Sequence, residues 1–184
     1  GKLISMENYE LMTTGFTLND GSQANYGFGL GTGKIGAYKS VGHGGGIPGF
    51  STDSIYIPEK DVFVAAFANS DSISPSMILN LMTAKALDIE VPAFKEVTID
   101  DKKIEPFLGK YELEGGGVRA FTLKNGKLFT QRDNGQLFEV KAMSENSFYY
   151  PDSLVYFDIE KEAGNYVMKF YRNLDNTPAI AKKI

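Results

Sequence analysis

The single histidine of the chain, His43, stands directly before three consecutive glycines in the run Val41-Gly-His-Gly-Gly-Gly-Ile-Pro-Gly-Phe-Ser51. An imidazole can transfer protons near neutral pH, and glycines leave their backbone N–H groups open to close approach by a ligand. These residue types in this order indicate a site that combines a titratable side chain with bare backbone donors. The alternative is a flexible surface loop that contains an incidental histidine.

A second glycine-rich segment precedes this run. Gly31-Thr-Gly33-Lys-Ile-Gly36 has the Gly-x-Gly-x-x-Gly spacing of dinucleotide-binding loops, which must open a helix whose N-terminus receives the phosphates. The residues that follow, Ala-Tyr-Lys-Ser-Val, favour a strand instead. A phosphate-binding P-loop does not fit either, because Phe28 takes the place of its first glycine and Ile35 that of its Ser or Thr. We therefore predict a glycine-rich hairpin between two strands.

A local Ser-His-Asp triad is a further alternative, since Ser51 and Asp53 follow His43 closely. Alternation along a strand places Ser51 and Asp53 on one face. Nothing in the sequence brings that face to His43, and the chain contains no Gly-x-Ser-x-Gly nucleophile elbow. The triad is therefore disfavoured.

The composition excludes several classes of function. The chain of 184 residues has no cysteine and one histidine, so we predict no metal site and no other cofactor. A net charge of −4 gives no footprint for nucleic acid. The longest apolar run, Val62–Ala68, is too short to span a bilayer. No secretory signal is present, and the abrupt start of the sequence suggests a segment cut from a longer protein.

The sequence divides into two halves of different chemistry. Residues 1–90 contain most of the glycines and no arginine, whereas the remainder is rich in aromatic and basic residues. The charged stretch 91–103 contains a proline and is predicted to be a linker, which leaves residues 104–184 as a second domain.

The first half alternates short strands with helices at its two ends. Ser5 is predicted to cap a helix over Met6–Thr13, and Ser74 with Pro75 to start a second helix. The apolar stripe of this second helix is expected to pack in the core and consists of Met77, Ile78, Leu81, Met82 and Leu87. The run Val62–Asn69 is apolar on both faces, so we expect a central strand covered on both sides. The other predicted strands are Asn25–Leu30, Ile35–Val41 and Thr52–Ile57, with a turn at 58–61.

The second half predicts an all-β domain. Seven or eight short strands follow one another at regular spacing, and Asn125-Gly126 is a strong two-residue hairpin signal. This pattern is typical of an antiparallel meander closed into a small barrel or sandwich. Its interior is expected to be filled by Phe121, Phe129, Phe138, Tyr149, Phe157 and Phe170.

Several motifs of residues 1–90 together resemble the penicillin-recognising serine hydrolases, in particular the group of class C β-lactamases, D-aminopeptidases and esterases. They are Tyr26-Gly-Phe-Gly-Leu30, Gly42-His-Gly-Gly-Gly-Ile-Pro-Gly-Phe-Ser51, Ile57-Pro58 and Phe67-Ala-Asn69. Phe107-Leu-Gly-Lys-Tyr111 and Asn125-Gly-Lys-Leu-Phe129 resemble the lipocalin-like barrel appended to some members of that family. The resemblance implies an α+β fold: the C-terminal part of a β-lactamase-like antiparallel sheet with packed helices, then an all-β lipocalin-like barrel.

The resemblance also implies roles for four residues. In the family, an active-site serine attacks an amide, ester or β-lactam carbonyl to form an acyl-enzyme. His43-Gly44-Gly45 matches the third family motif, Lys/His-x-Gly, on a strand that lines the cleft. The resemblance makes His43 and the N–H of Gly46 catalytic, the latter as an oxyanion donor, and makes Gly44 and Gly45 substrate-binding.

The chain departs from the family at the two other motifs. It contains no Ser-x-x-Lys, and its only Tyr-x-Asn, Tyr171-Arg-Asn173, lies in the predicted barrel. The nucleophile is therefore expected upstream of Gly1. We predict that this chain is a C-terminal fragment of a serine hydrolase and is inactive alone.

The fragment hypothesis carries further expectations. The parent would be periplasmic or secreted and would act on a peptide-like, ester or β-lactam small molecule. The fragment would partner the N-terminal part of the parent's catalytic domain, would not bind nucleic acid, and would self-associate through exposed apolar surface. The alternative is a non-enzymatic binding module whose barrel recognises a small ligand or a partner domain.

Overall fold

The computed structural model of the protein describes residues 2–151 and 153–184. The backbone divides into two units, Gly1–Val91 and Pro92–Ile184, each with its own internal packing. The secondary structure is dominated by strands, with few helices. None of the helices in the described part of the chain is long and apolar enough to cross a membrane. The first unit contains α1 (Met6–Thr13), β1 (Gly31–Ile35), β2 (Tyr38–Gly42), β3 (Gly45–Ile47), β4 (Phe50–Ile57), β5 (Val62–Ala68) and α2 (Ser76–Ala86).

The sheet of the first unit is antiparallel, and β4 is its centre. Strand β4 pairs with β5 along one edge and with both β2 and β3 along the other. Gly42 pairs with Ile55 and Gly45 with Thr52, so β2 and β3 follow β4 in one continuous register that is interrupted only at residues 43–44. Strand β1 pairs with β2 as far as Gly31↔Gly42. Beyond that pair β1 does not continue alongside β3.

Several sequence predictions for this unit are confirmed. Helix α1 has the predicted bounds, and the Ser5 hydroxyl accepts a hydrogen bond of 3.2 Å from the N–H of Asn8. Residues Pro58–Lys60 form a 3₁₀ turn, which ends at Asp61 with a φ of 50°. The run Gly31–Gly36 opens no helix, as predicted, but it is not the predicted hairpin loop: Gly31–Ile35 form the strand β1, and the turn follows at Gly36, which has a φ of 54°.

Other predictions for this unit are wrong. Asn25–Leu30 is no strand and forms only an isolated bridge from Tyr26 to Gly31, and the predicted strand Ile35–Val41 is split by the turn at Gly36. Helix α2 begins one residue later than predicted, with Pro75 at the N-cap. Its buried positions are Leu79, Thr83 and Ala84, whereas the predicted stripe residues Ile78 and Met82 are about half exposed.

Strand β5 is also not central in the described residues. It pairs only with β4, and Phe63 and Phe67 on one of its faces are 66% and 81% exposed. The alternate residue Val64 is buried. Helix α2 packs against β5 on the face of Val64, because Ser76 of α2 bonds Asp53, the cross-strand partner of Ala66. The apolar run therefore belongs to an edge strand with one covered and one exposed face.

The second unit is a closed antiparallel barrel of eight strands. The strands follow one another as a meander, and the last pairs with the first through Ala181↔Leu113. Asn125 and Gly126 both have positive φ, as the predicted two-residue hairpin requires. A short helix and a 3₁₀ turn (Glu105–Phe107) precede the barrel. The elements are α3 (Asp101–Ile104), β6 (Gly109–Leu113), β7 (Val118–Lys124), β8 (Lys127–Arg132), β9 (Leu137–Ala142), β10 (Ser147–Tyr149), β11 (Tyr156–Glu162), β12 (Asn165–Tyr171) and β13 (Ala179–Lys183).

Aromatic rings fill the barrel, as the sequence predicts. Phe121 and Phe157 are fully buried and Phe170 is nearly so. Phe148 rather than its neighbour Tyr149 occupies the interior, with its ring centroid 4.9 Å from that of Phe121. Two further predicted core positions differ. Phe129 alternates with the buried Leu128 and Thr130 and so points outward, and Phe138 is 45% exposed.

Residues 92–100, within the segment predicted as a linker, have no regular secondary structure and lie against the barrel. The N–H of Val97 donates to the carbonyl of Ala142 over 2.9 Å. Lys141 binds Glu96 over 2.6 Å, and the ring of Phe94 packs on that of Tyr149. The pairing with Glu96 raises the pKa of Lys141.

Candidate functional site

The glycine run after His43 forms an open edge of the sheet of the first unit. The N–H of His43 donates to the carbonyl of Ser54 over 3.2 Å. In the continuous register with β4, odd-numbered residues of β3 therefore direct their backbone groups toward β4 and even-numbered residues direct them away. The N–H of Gly46 consequently points to the edge that no described strand covers. Gly44, Gly45 and Gly46 are all exposed.

The imidazole of His43 is held by contacts on both nitrogens. Its Nδ1 lies 2.5 Å from the carbonyl oxygen of Gly44, and its Nε2 lies 2.7 Å from the hydroxyl oxygen of Tyr26. A carbonyl can only accept, so Nδ1 carries the proton, and Nε2 of the neutral ring accepts from Tyr26. The rings of Tyr26 and His43 also meet edge to face, 5.8 Å apart. The side chain is exposed but oriented.

Glycine is required at one position beside the site and optional at another. A Cβ at Gly42 would overlap the carbonyl oxygen of Ser54 in the neighbouring strand. A Cβ at Gly46 would meet only Phe50 O, at an ordinary contact distance of 3.6 Å. Gly44 and Gly45 lie between these cases: a Cβ would come within 3.3 Å of the carbonyl oxygen of Thr52 at Gly44 and within 3.2 Å of the Thr52 hydroxyl oxygen at Gly45. The close approach of two backbones explains Gly42, whereas packing alone does not demand a glycine at 46.

The turn that ends this edge is anchored from outside the sheet. Pro48 and Gly49 connect β3 to β4, and Gly49 has a φ of 84°, which favours glycine. The N–H of Gly49 donates to Asp71 Oδ2 over 3.1 Å. The loop after β5 therefore fixes the turn and with it the position of Gly46.

The structure does not assemble the local triad. Asp53 and Ser51 alternate with Ser54, the residue that pairs with His43, so their side chains lie on the opposite face of the sheet from the imidazole. Asp53 Oδ2 instead accepts a hydrogen bond of 2.6 Å from the Ser76 hydroxyl, and Ser51 donates to the backbone of residues 70–73. Both side chains are used to hold α2 and the preceding loop.

A cavity of about 790 Å³ lies between α1 and the segment 14–28, and Tyr26 is one of its lining residues. Its other lining residues include Leu11, Phe16 and Phe28 and the exposed Glu7 and Glu10. Tyr26 therefore joins an apolar cavity to the imidazole. No group of three or more His, Asp or Glu side chains suited to hold a metal ion occurs among residues 2–151 and 153–184.

Comparison with known proteins gives a likeness at low identity. The octameric penicillin-binding protein homologue from Pyrococcus abyssi aligns with 99% of this chain at 19% identity and a TM-score of 0.45, over 43% of its own length. The crystal structures of SurE with D-Leu and of SurE alone align with the whole chain at 18% identity and TM-scores of 0.37 and 0.36, over 44% and 43% of their length. This chain spans less than half the length of these proteins. No protein-family model and no curated protein matches it.

The structure adds Tyr26 to the residues that the sequence singles out. Tyr26 stands in the motif Tyr26-Gly-Phe-Gly-Leu30, but no role for its side chain follows from the sequence. Its hydroxyl reaches His43 because the bridge from Tyr26 to Gly31 places it next to β1 at the end of the sheet. That contact joins residues 17 positions apart, which local spacing does not reveal.

Proposed function

We propose that this chain is the C-terminal portion of a penicillin-recognising serine hydrolase and that β3 forms one wall of its active site. The observation that carries the proposal is the N–H of Gly46, which points away from β4 into the open edge beside an oriented imidazole. Such a donor, fixed before reaction, can stabilise the negative charge that develops on a carbonyl oxygen under nucleophilic attack.

The proposed reaction is acyl transfer to a serine supplied by the preceding part of the catalytic domain. The serine oxygen forms a bond to the carbonyl carbon of an amide, ester or β-lactam, the carbonyl oxygen becomes an oxyanion at Gly46 N–H, and the bond to the leaving nitrogen or oxygen breaks. The serine proton passes to a base supplied by the same preceding part of the domain and then to the leaving nitrogen or oxygen. Water adds to the acyl carbon, and its proton restores the serine hydroxyl as the acid departs. Both nitrogens of His43 are engaged, so His43 acts on proton transfer through the Tyr26 hydroxyl. Gly44 and Gly45 admit the substrate backbone beside the strand.

The proposed partner and location follow from the same hypothesis. The N-terminal part of the catalytic domain would complete the site, and the parent protein would act in the periplasm or outside the cell. Alone, the chain would have no hydrolytic activity, because the sequence contains no Ser-x-x-Lys.

Two proteins labelled side by side test the proposal. We expect a fluorescent penicillin and a fluorophosphonate to leave the 184-residue chain unlabelled and to label a protein extended by the reading frame that precedes residue 1. Covalent labelling of the 184-residue chain would contradict the fragment hypothesis. If the extended protein contains no Ser-x-x-Lys and is not labelled, the hypothesis that the parent protein is a serine hydrolase is wrong.

The role of Gly46 has its own matched pair of variants in the extended protein. Gly46→Pro removes the N–H without removing a bond to β4, because that N–H points away from the ladder. We expect it to slow acylation by about 10²–10³-fold, the usual effect of losing one oxyanion donor. Gly46→Ala keeps the N–H and has room for its methyl group, so it should acylate at nearly the native rate. Equal acylation rates in the two variants would show that the N–H of Gly46 is not an oxyanion donor.

A further inference from the structure

All three arginines of the chain lie at one end of the barrel. Arg119 on β7 pairs directly with Arg132 on β8, and Arg172 follows the last residue of β12. Arg119 alternates with the buried Phe121 and therefore faces the barrel interior, with only 7% of its surface exposed. The chain has no other arginine. We name this end of the barrel, with Arg119, Arg172 and Tyr150, the arginine mouth.

Hydrogen bonds and an aromatic ring hold the guanidinium of Arg119 in place. Its Nη1 donates to Tyr150 Oη over 3.0 Å, and that oxygen lies 2.6 Å from Thr130 Oγ1 inside the barrel. The guanidinium carbon lies 4.5 Å from the centroid of the Phe170 ring, and that of Arg172 lies 5.0 Å from the same centroid. The Phe170 ring thus makes a cation–π contact with each of two guanidinium groups, and these contacts and hydrogen bonds hold Arg119 in one orientation.

The positive charge of the arginine mouth is not balanced within the described residues. Of the three arginines only Arg132 has a carboxylate within ion-pair distance there, Asp133 at 3.6 Å. Burial lowers the pKa of Arg119; the nearby charges of Arg172 and Arg132 act in the same direction, and the Tyr150 hydroxyl acts against them. A buried cation is costly unless an anion accompanies it, so the arrangement favours an external anion.

A cavity of about 360 Å³ opens at the arginine mouth, a volume within the range of small-molecule sites. Glu139 also borders the cavity, but its carboxylate binds Lys127 over 2.9 Å. The remaining walls are mainly apolar. The lining residues that matter here are Arg119, Arg172, Tyr150, Phe138, Val155 and Phe170.

We propose that the arginine mouth binds a small organic carboxylate with an apolar or aromatic body. The carboxylate accepts hydrogen bonds from the guanidinium of Arg119 and from Arg172, since Arg119 spends only one donor on Tyr150 among the described residues. The body of the ligand packs on Phe138 and Val155. Two guanidinium groups also match the charge of a phosphate. The mainly apolar lining is what favours a carboxylate with an apolar body over inorganic phosphate. The proposal uses no residue of the first unit and stands without the proposed function.

Calorimetry on the 184-residue chain tests the site with two isosteric probes. We expect 3-phenylpropionate to bind at least tenfold more tightly than the neutral 3-phenylpropionamide, and inorganic phosphate to compete only weakly. Equal binding of the acid and the amide would overturn the proposal. Displacement by phosphate at the same concentration as 3-phenylpropionate would overturn the role of the apolar walls.

Charge-removing variants locate the binding. Arg172→Gln alters an exposed side chain, and we expect it to weaken 3-phenylpropionate binding tenfold or more, with thermal unfolding as the check on the fold. Arg119→Met should abolish binding, with thermal unfolding as the check that the barrel is intact. Lys124→Gln removes the same charge from the opposite end of β7 and should have no effect. Equal losses in R172Q and K124Q would show a general charge effect and overturn the site.

One carboxylate of the sequence needs its own control. Asp152 lies between the lining residues Pro151 and Ser153 but outside the described residues. We expect Asp152→Asn to leave 3-phenylpropionate binding unchanged or stronger. Binding that is absent from the native chain and present only in D152N would overturn the proposal for the native protein.

Discussion

The hydroxyl oxygen of Tyr26 lies 2.7 Å from Nε2 of His43, on the side of the ring opposite the carbonyl of Gly44. The carbonyl fixes the proton on Nδ1, and Tyr26 donates to the nitrogen that is left. A neutral His43 is therefore held in one tautomer with its basic nitrogen already engaged by a proton donor.

Replacing Tyr26 by Phe should weaken the preference of His43 for the tautomer with the proton on Nδ1. Without the hydroxyl, Nε2 loses its donor, and the population with the proton on Nε2 should rise. Nitrogen–proton correlation spectra measure the two tautomers directly, and the single histidine of the chain makes assignment unnecessary. Tyr9→Phe, on α1, is the control and should leave the spectrum unchanged. Predominance of the Nε2–H form in the native chain would refute the geometry.

The two glycines that flank the site should respond oppositely to alanine. Gly42→Ala forces a methyl group into the carbonyl of Ser54 and should lower the free energy of unfolding by about 1–3 kcal/mol. Gly46→Ala fits its surroundings and restricts the unfolded chain, so it should be neutral or raise that free energy by about 0.4–1 kcal/mol. Urea unfolding of both variants provides the comparison. Equal destabilisation by the two variants would contradict the close approach of β2 to β4 at Gly42.

The barrel should depend on its central ring cluster. Phe121 is fully buried and lies 4.9 and 5.5 Å from the rings of Phe148 and Phe157. Phe121→Ala should cost about 3–5 kcal/mol of unfolding free energy, whereas Phe67→Ala, at an 81% exposed position of the first unit, should change it by about 0.5 kcal/mol or less. Thermal unfolding followed by circular dichroism measures both. A small effect of F121A would contradict the packed core.

The barrel should lose stability in alkaline solution. Burial raises the pKa of Tyr111 above its ordinary value of 10.0, because the charged phenolate would have to remain in the core, where the hydroxyl donates to the carbonyl of Phe107. A group whose pKa is raised by folding stabilises the folded state below its unfolded pKa, and this contribution is lost as the pH rises above about 10. Tyr111→Phe should flatten the decline of melting temperature between pH 9 and 11 (about one unit either side of that value). An unchanged slope would assign the decline to other groups.

Self-association should depend on one face of the first sheet. Phe63 and Phe67 point away from the face of the buried Val64 and are largely exposed, and Phe50 on β4 shares their face and is 53% exposed. An apolar patch of this kind favours association. We expect sizing chromatography to show larger species as concentration rises, and Phe67→Ser to reduce them more than Phe16→Ser, which changes an exposed ring elsewhere. A monomer at all concentrations would contradict the prediction.

The barrel could be predicted from sequence because its signals are local. The Asn125-Gly126 turn and the alternation of inward and outward residues are readable within a few positions. The sequence predictions fail where the orientation of a residue depends on the strands that pair with its own strand. The sequence Phe148-Tyr149 is apolar at both positions, so only the register with β9 and β11 determines which ring enters the core. Likewise, an apolar β5 does not reveal that only one of its faces is covered.

The candidate site shows the same division. The glycine run around His43 is a local feature, and its place on a strand follows from sequence. Its position at an open edge depends on β1 stopping at Gly31, and the partner Tyr26 is brought in by a bridge outside any strand. Arg119 and Arg132 meet within the β7–β8 hairpin, but the approach of Arg172, 53 positions after Arg119, depends on closure of the barrel.

That closure has a consequence for how the barrel folds. The seam of the barrel joins β6 to β13, the first and the last of its strands in the sequence. The meander can form hairpin by hairpin, but one edge of β6 stays unpaired until β13 is in place. Removing residues 179–184 would leave that seam permanently open, with two strand edges free to recruit another chain.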